Sequence, residues 1–274
     1  MKRKNSRKVF YYKSYTDDLV TSKNQNYKLK TNYQWIHNNI IYRICSEVLY
    51  RFAYIISLIY CKFGLHVKIK NKKILSKYKN QGYFLYGNHT QPIGDVFTPA
   101  HICKNKRIYV IVSPANLGVA GIGPLLPMLG ALPIPQSIKD TKKLWNAIDT
   151  RIKQNKCVVI YPEAHVWPYY TEIRPFETTS FKFPVNSNVP SFVMTTTYYK
   201  RKFGKKPGIK VYLDGPFMPD GNIPKKDREE KLCKEIYECM KNRSKNSTYK
   251  YIEYKREQNI WISYIVEIKI LKMD

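Results

Sequence analysis

The sequence predicts an α/β fold, a mixed and mostly parallel sheet flanked by helices, preceded by an amphipathic helical extension. Two observations carry this expectation. Between residues 65 and 213, short β-branched and aromatic runs alternate with stretches whose apolar residues recur every three or four positions, the periods of strands and helices in turn. Two of the runs, Arg107 to Val112 and Cys157 to Tyr161, are almost continuously apolar, as in strands covered on both faces.

Residues 1 to 34 form a basic arm, expected to be mobile, with nine Lys or Arg in the first 30 against Asp17 and Asp18. A solvated tail and a contact with an anionic surface both fit it. From 35 to 63 a helix is expected. Ile41, Ile44, Val48, Phe52, Ile55 and Ile59 share one face, suited either to a membrane interface or to core packing. The charge-free part, Phe52 to Cys61, is short of the roughly 20 apolar residues of a spanning helix.

The main domain is placed at 64 to 245. Leu65 to Lys70 alternates as a half-buried strand, and Tyr83 to Tyr86 is the next. Asp95 to Cys103 begins as a helix with an acidic first turn. Leu117 to Pro135 carries no charge, but its prolines and glycines argue against a regular spanning helix. It reads as broken apolar structure lining an acyl-chain groove or dipping toward a bilayer, or as a buried loop. Asp140 to Gln154 and Arg228 to Met240 read as helices, Val189 to Tyr198 and Ile209 to Leu213 as strands. Residues 246 to 274 form an extension of edge strands or a further helix.

The chain has 48 Lys and Arg against 20 Asp and Glu, a formal charge of +28. An anionic partner follows: nucleic acid, acidic phospholipid or an acidic carrier. No helix-turn-helix, zinc-finger or RNP-like pattern supports nucleic acid, which leaves the membrane surface and the carrier. The six cysteines form no CxxC pair, so neither zinc nor a disulfide framework is expected. No apolar h-region follows the basic start, so no secretory signal is expected.

Two polar loops follow strands and are candidates for one site. The first is Gly87-Asn88-His89-Thr90-Gln91-Pro92-Ile93-Gly94-Asp95. His89 reads as a general base and Asp95 as the group that orients its ring. The second is Pro162-Glu163-Ala164-His165, with Arg174-Pro175-Phe176 and Ser180-Phe181-Lys182 beyond. A carboxylate and cations near a base suit an anionic or polyhydroxyl substrate. Acyl transfer from a thioester fits these parts without a covalent intermediate, because no GxSxG elbow or loop cysteine supplies a nucleophile. The aromatic cluster Trp167, Tyr169 and Tyr170 beside the second loop fits a membrane interface or simple packing.

These residues resemble the glycerolipid acyltransferases, the family of bacterial 1-acylglycerol-3-phosphate acyltransferase. Asn88-His89 with Asp95 is similar to the first family block, Gly121 to Pro135 to the second, and Tyr161-Pro162-Glu163 with Pro175-Phe176 and Phe181-Lys182 to the third. Val189-Pro190 is similar to the fourth. Order and intervals agree from about residue 65 to 215. Two departures stand out: five residues rather than four separate His89 from Asp95, and Ala164-His165 replaces Gly-Thr-Arg.

The resemblance implies an O-acyltransferase of phospholipid biosynthesis, peripheral or monotopic on the cytoplasmic face of a membrane. Its acceptor would be a lysophospholipid. The co-substrate would be acyl-CoA, acyl-carrier protein or acyl phosphate, with no resident cofactor. His89 and Asp95 would be catalytic, with Asn88, Glu163, His165, Arg174 and Lys182 binding substrate. The alternative is a non-catalytic lipid-binding protein that keeps the fold.

Overall fold

The computed structural model describes residues 8–20, 24–104 and 106–257. Along the chain run β1 (Lys8–Tyr12), α1 (Ile40–Ile59), β2 (Lys68–Lys70), β3 (Tyr83–Gly87), α2 (Gly94–Ile102), β4 (Ile108–Val112), β5 (Ala131–Pro133) and α3 (Ile138–Lys153). They are followed by β6 (Cys157–Ile160), α4 (Lys182–Ser187), β7 (Ser191–Tyr199), β8 (Gly208–Phe217), α5 (Lys225–Ser244) and β9 (Ile252–Arg256).

Seven strands form one sheet in the order β2-β8-β7-β3-β6-β4-β5. The five from β7 to β5 are parallel, whereas β8 runs antiparallel to β7 and carries β2 with it. The expected mixed, mostly parallel sheet is therefore present. β3 and β6 lie at its centre and are buried along their whole length, which explains their unbroken apolar runs. One face packs Leu144, Ala147, Ile148 and Ile152 of α3 and Leu232, Ile236 and Met240 of α5. Ala100 and Ile102 of α2 lie on the other face with Leu75. Because the central strands are parallel, the loops after β3 and β6 emerge at the same end.

Two elements differ from the sequence expectation. The strand expected from Leu65 is shortened to β2, because His66 takes a left-handed φ of 51° and cannot continue an extended run. The uncharged stretch 117–135 is broken structure as expected, with short 3-10 turns at Pro114–Gly118 and Gly123–Leu125 before β5. The basic arm is not a free tail over its described part. β1 pairs in parallel with β9, from Lys8 opposite Ile252 to Tyr12 opposite Arg256, so the two chain extensions satisfy each other's backbone. Of the edge strands or further helix expected beyond Asn246, a strand forms, β9, and residues 258–274 lie outside the described residues.

α1 is capped by the Asn39 side chain, which accepts from the Tyr42 amide. Its orientation is the reverse of a core helix. Ile41, Ile44, Val48, Phe52, Ile55 and Ile59 are 54% to 68% exposed, whereas Ser46 and Ser57 are buried. The polar side holds the helix to the domain. Ser46 Oγ donates to Met128 O, Tyr50 OH accepts from the Ile108 amide, and Tyr54 OH donates to Lys104 O. Core packing is thus excluded for that apolar face.

Gly82, just before β3, lies against the last turn of α3: a Cβ there would sit 2.2 Å from Ile152 O. Since backbone stands in the way, Gly82→Ala is expected to destabilise by about 1–3 kcal/mol, read from the midpoint of urea unfolding. An unchanged midpoint would show that α3 is not seated on this glycine.

Candidate active site

His89 leaves β3 after Gly87, and the loop turns at Pro92 to start α2 at Gly94. Asp95 therefore falls in the first turn of a helix, where the dipole favours a carboxylate. The five-residue interval is absorbed there: the Gln91 carbonyl accepts from the Asp95 amide, while Asp95 Oδ2 accepts from the Gln91 amide at 2.9 Å. Asp95 Oδ2 also lies 2.8 Å from His89 Nδ1. Asp95 is 4% exposed and the His89 side chain 21%. With Nδ1–H donating to the carboxylate, Nε2 carries the free lone pair.

Two tyrosines to which the sequence assigns no role complete the support. Tyr161 stacks on the His89 ring at 4.4 Å between centroids, and its OH donates to the Asp95 carbonyl at 2.6 Å. Tyr198 OH lies 2.7 Å from Thr90 Oγ1 and accepts from Gln91 Nε2 at 2.9 Å. Burial pushes both phenols well above the ordinary tyrosine range, and the nearby Asp95 charge adds to it. Both therefore stay neutral. Tyr161 opens the second loop's motif and is within reach of the sequence; Tyr198 reads there as one more strand aromatic.

Glu163, after β6, is buried and accepts three hydrogen bonds. Its Oε2 takes the His89 amide at 3.0 Å and Arg174 Nη2 at 3.2 Å, and its Oε1 takes the Arg174 amide at 2.8 Å. The two loops are stitched further by Trp167 N to His89 O and Tyr169 N to Thr90 O. Ala164, at a φ of 63°, takes the left-handed turn that a glycine would take without strain.

The structure corrects three expected substrate contacts. The Glu163 and Arg174 side chains are 0% exposed and paired with each other. Arg174 also donates to Tyr15 O and His165 O and covers the Trp167 ring at 4.8 Å. Neither side chain is free for a ligand. Asn88 is 1% exposed. Both ends of its amide are taken by the Thr196 backbone, with Oδ1 accepting from N at 2.8 Å and Nδ2 donating to O at 3.0 Å. It pins the loop to β7.

His165 remains open, 38% exposed, with Nδ1 3.8 Å from an Asp18 carboxylate oxygen. Lys182 is exposed at the start of α4, on the α3 and α5 layer, without an ion pair among the described residues. Trp167 and Tyr170 are buried against Tyr12, Tyr15 and Tyr254, which decides for packing. Trp167 Nε1 donates to Asp17 O. Nothing in the sequence signals these contacts from the first 20 residues.

Residues 66–196 match the family model described as Acyltransferase. Among solved structures, the fold is similar to that of the 1-acyl-sn-glycerophosphate (LPA) acyltransferase PlsC from Thermotoga maritima. The TM-score is 0.53 at 11% identity, over 76% of this chain and 89% of that one. No curated protein sequence matches.

Removing Arg174 leaves the Glu163 carboxylate buried without its cation. Arg174→Met is expected to cost about 3–5 kcal/mol in unfolding free energy, with much of it recovered in the Glu163→Gln, Arg174→Met double variant. Unchanged stability with a raised KM would instead place Arg174 on the substrate.

Proposed function

We propose that this chain, whose residues 66–196 match the acyltransferase family model, moves a fatty acyl group onto a hydroxyl of a glycerolipid such as 1-acylglycerol-3-phosphate. The donor is a thioester, acyl-CoA or acyl-carrier protein, or an acyl phosphate. The observation that carries the reading is the 2.8 Å contact between His89 Nδ1 and Asp95 Oδ2, made despite the longer interval between them. It leaves Nε2 as the base. As the acceptor oxygen attacks the acyl carbonyl, Nε2 takes its proton, and Asp95 stabilises the imidazolium. Collapse of the tetrahedral species breaks the bond to the donor's sulfur or phosphate oxygen, and Nε2 returns the proton where the leaving group needs it. No acyl-enzyme forms.

With Arg174 and Glu163 spent on each other, His165 and Lys182 are the remaining candidates for the acceptor's polar groups. His165 belongs to the loop that Glu163 fixes beside His89.

The membrane reading rests on α1 and the exposed side chains that continue from it. The helix and its π-helical turn run from Ile40 to Gly64, 25 residues, long and apolar enough to cross a membrane by length and composition alone. Its hydrogen bonds to Met128, Ile108 and Lys104 favour lying on the domain with the apolar face in the lipid interface. α1 packs on α2, where Ile93 and Val96, 56% and 58% exposed, flank the His89 loop. A bilayer on this side meets both the helix and the mouth of the site. The cytoplasmic face is the one that offers the proposed donors.

With detergent-purified protein, a labelled acyl donor and a panel of lysolipids, wild type is expected to form product. His89→Ala is expected to lose about 10²–10⁴-fold in kcat, and Asp95→Asn to lose activity while keeping its fold. Equal activity of His89→Ala and wild type would remove the base. No product with any donor would favour the lipid-binding alternative. Phe52→Glu with Ile55→Glu is expected to release the protein from sedimenting vesicles without unfolding it, and retained binding would exclude α1 as the contact.

A further inference from the structure

The sheet carries a second, chemically distinct cleft at the end away from His89. There the starts of β4 and β5, the N-terminal half of α1, the last turn of α3 and residues 33–37 enclose about 590 Å³. Four cations line it, Arg43, Arg107, Arg151 and Lys156, against one carboxylate, Glu47. That carboxylate is already engaged by Arg51 at 3.0 Å and Arg107 at 3.1 Å, which hold its pKa below the ordinary glutamate range despite partial burial. Arg107 gives Nη2 to Ser46 Oγ and Met128 O and pairs with Glu47 through Nη1, while its Nε is buried without a partner.

The other three cations are uncompensated. Arg43 and Lys156 form no ion pair among the described residues. Arg151 lies over the Tyr109 ring at 4.7 Å and gives Nη1 to Gln154. Its Nε is buried without a partner, an orphaned donor of the kind that marks a place for an acceptor. The effect on a neighbour agrees: burial, and then the Arg151 charge, lower the His37 pKa. The walls are aromatic, with Trp35, Tyr42 and Tyr109, and the rim is Ile40 and Ile44, the start of the exposed apolar face of α1.

We propose that this cleft binds a phosphate ester, its anion between Arg43, Arg151 and Lys156. Three unpaired cations match a phosphate's charge and acceptor oxygens. The apolar rim favours a phospholipid headgroup, whose chains would follow α1, over a free phosphate ester. The site lies outside the catalytic loops and its test reads binding, so it stands or falls separately from the acyl transfer reading.

Three proteins are compared on vesicles of phosphatidylcholine with and without phosphatidic acid: wild type, Arg43→Gln with Arg151→Gln, and Lys205→Gln with Lys206→Gln. The last pair removes the same charge from the exposed β7–β8 loop. The cleft variant is expected to lose roughly thirtyfold in affinity for the acidic vesicles and nothing on neutral ones, and the loop variant clearly less. Equal losses would reduce the effect to diffuse charge and overturn the site. Lys156→Gln, a single change, is expected to lose roughly fivefold and covers the case in which the double variant fails to fold.

The second arm uses glycerol 3-phosphate without vesicles, read by the NMR shift of the His37 ring. A saturable shift, lost in the cleft variant, would assign a soluble phosphate ester. No shift, with the vesicle difference intact, would assign the headgroup. Absence of both would overturn the proposal.

Discussion

The Glu163 carboxylate is the constraint on which the active-site end depends. A buried carboxylate is tolerated only when its lone pairs are matched by donors, and here the donors are the His89 amide and the Arg174 amide and guanidinium. Satisfying one side chain therefore fixes the start of the loop after β3 and the path of the loop after β6. Asn88 performs the same task toward β7 through the Thr196 backbone. His89 leaves a backbone held on both sides, and its ring needs only Asp95 and Tyr161 to set its direction.

Arg174 extends that constraint to the chain ends. By donating to Tyr15 O and lying over Trp167, it ties the segment after β1 to the outside of the site loop. The β1 and β9 pair and the ring of Tyr254 against Trp167 close the same layer. An arginine near the site that looks from the sequence like a substrate ligand is thus a structural cation. The cost of burying it is offset by neutralising Glu163 and satisfying two carbonyls.

The molecule is also organised from end to end. α1 presents its serines and tyrosines to the domain and its isoleucines outward, an exposed apolar face of the kind that marks a contact with a membrane or another protein. One end of the sheet carries His89 with Ile93 and Val96. The other carries the arginine cleft with Ile40 and Ile44 at its rim. The apolar face of α1 connects the two.

What the sequence determined by itself is what local pattern encodes. Periodicity placed the central strands, the helices over 138–153 and 225–244 in outline, and the loops after β3 and β6. Ordered short motifs singled out His89, Asp95 and Glu163. It also marked the apolar stripe of α1, since spacing is a local property, but not which way the stripe faces. Only the tertiary structure decided that the His89 and Asp95 side chains meet, because the extra residue is absorbed by a turn whose closure depends on Gln91 and Tyr198. It decided too that Arg174 belongs to Glu163 and that Lys8–Tyr12 of the basic arm form a strand. Pairing between residues 8 and 252, or 15 and 174, is a long-range satisfaction of buried polar groups, and no window of sequence contains both partners.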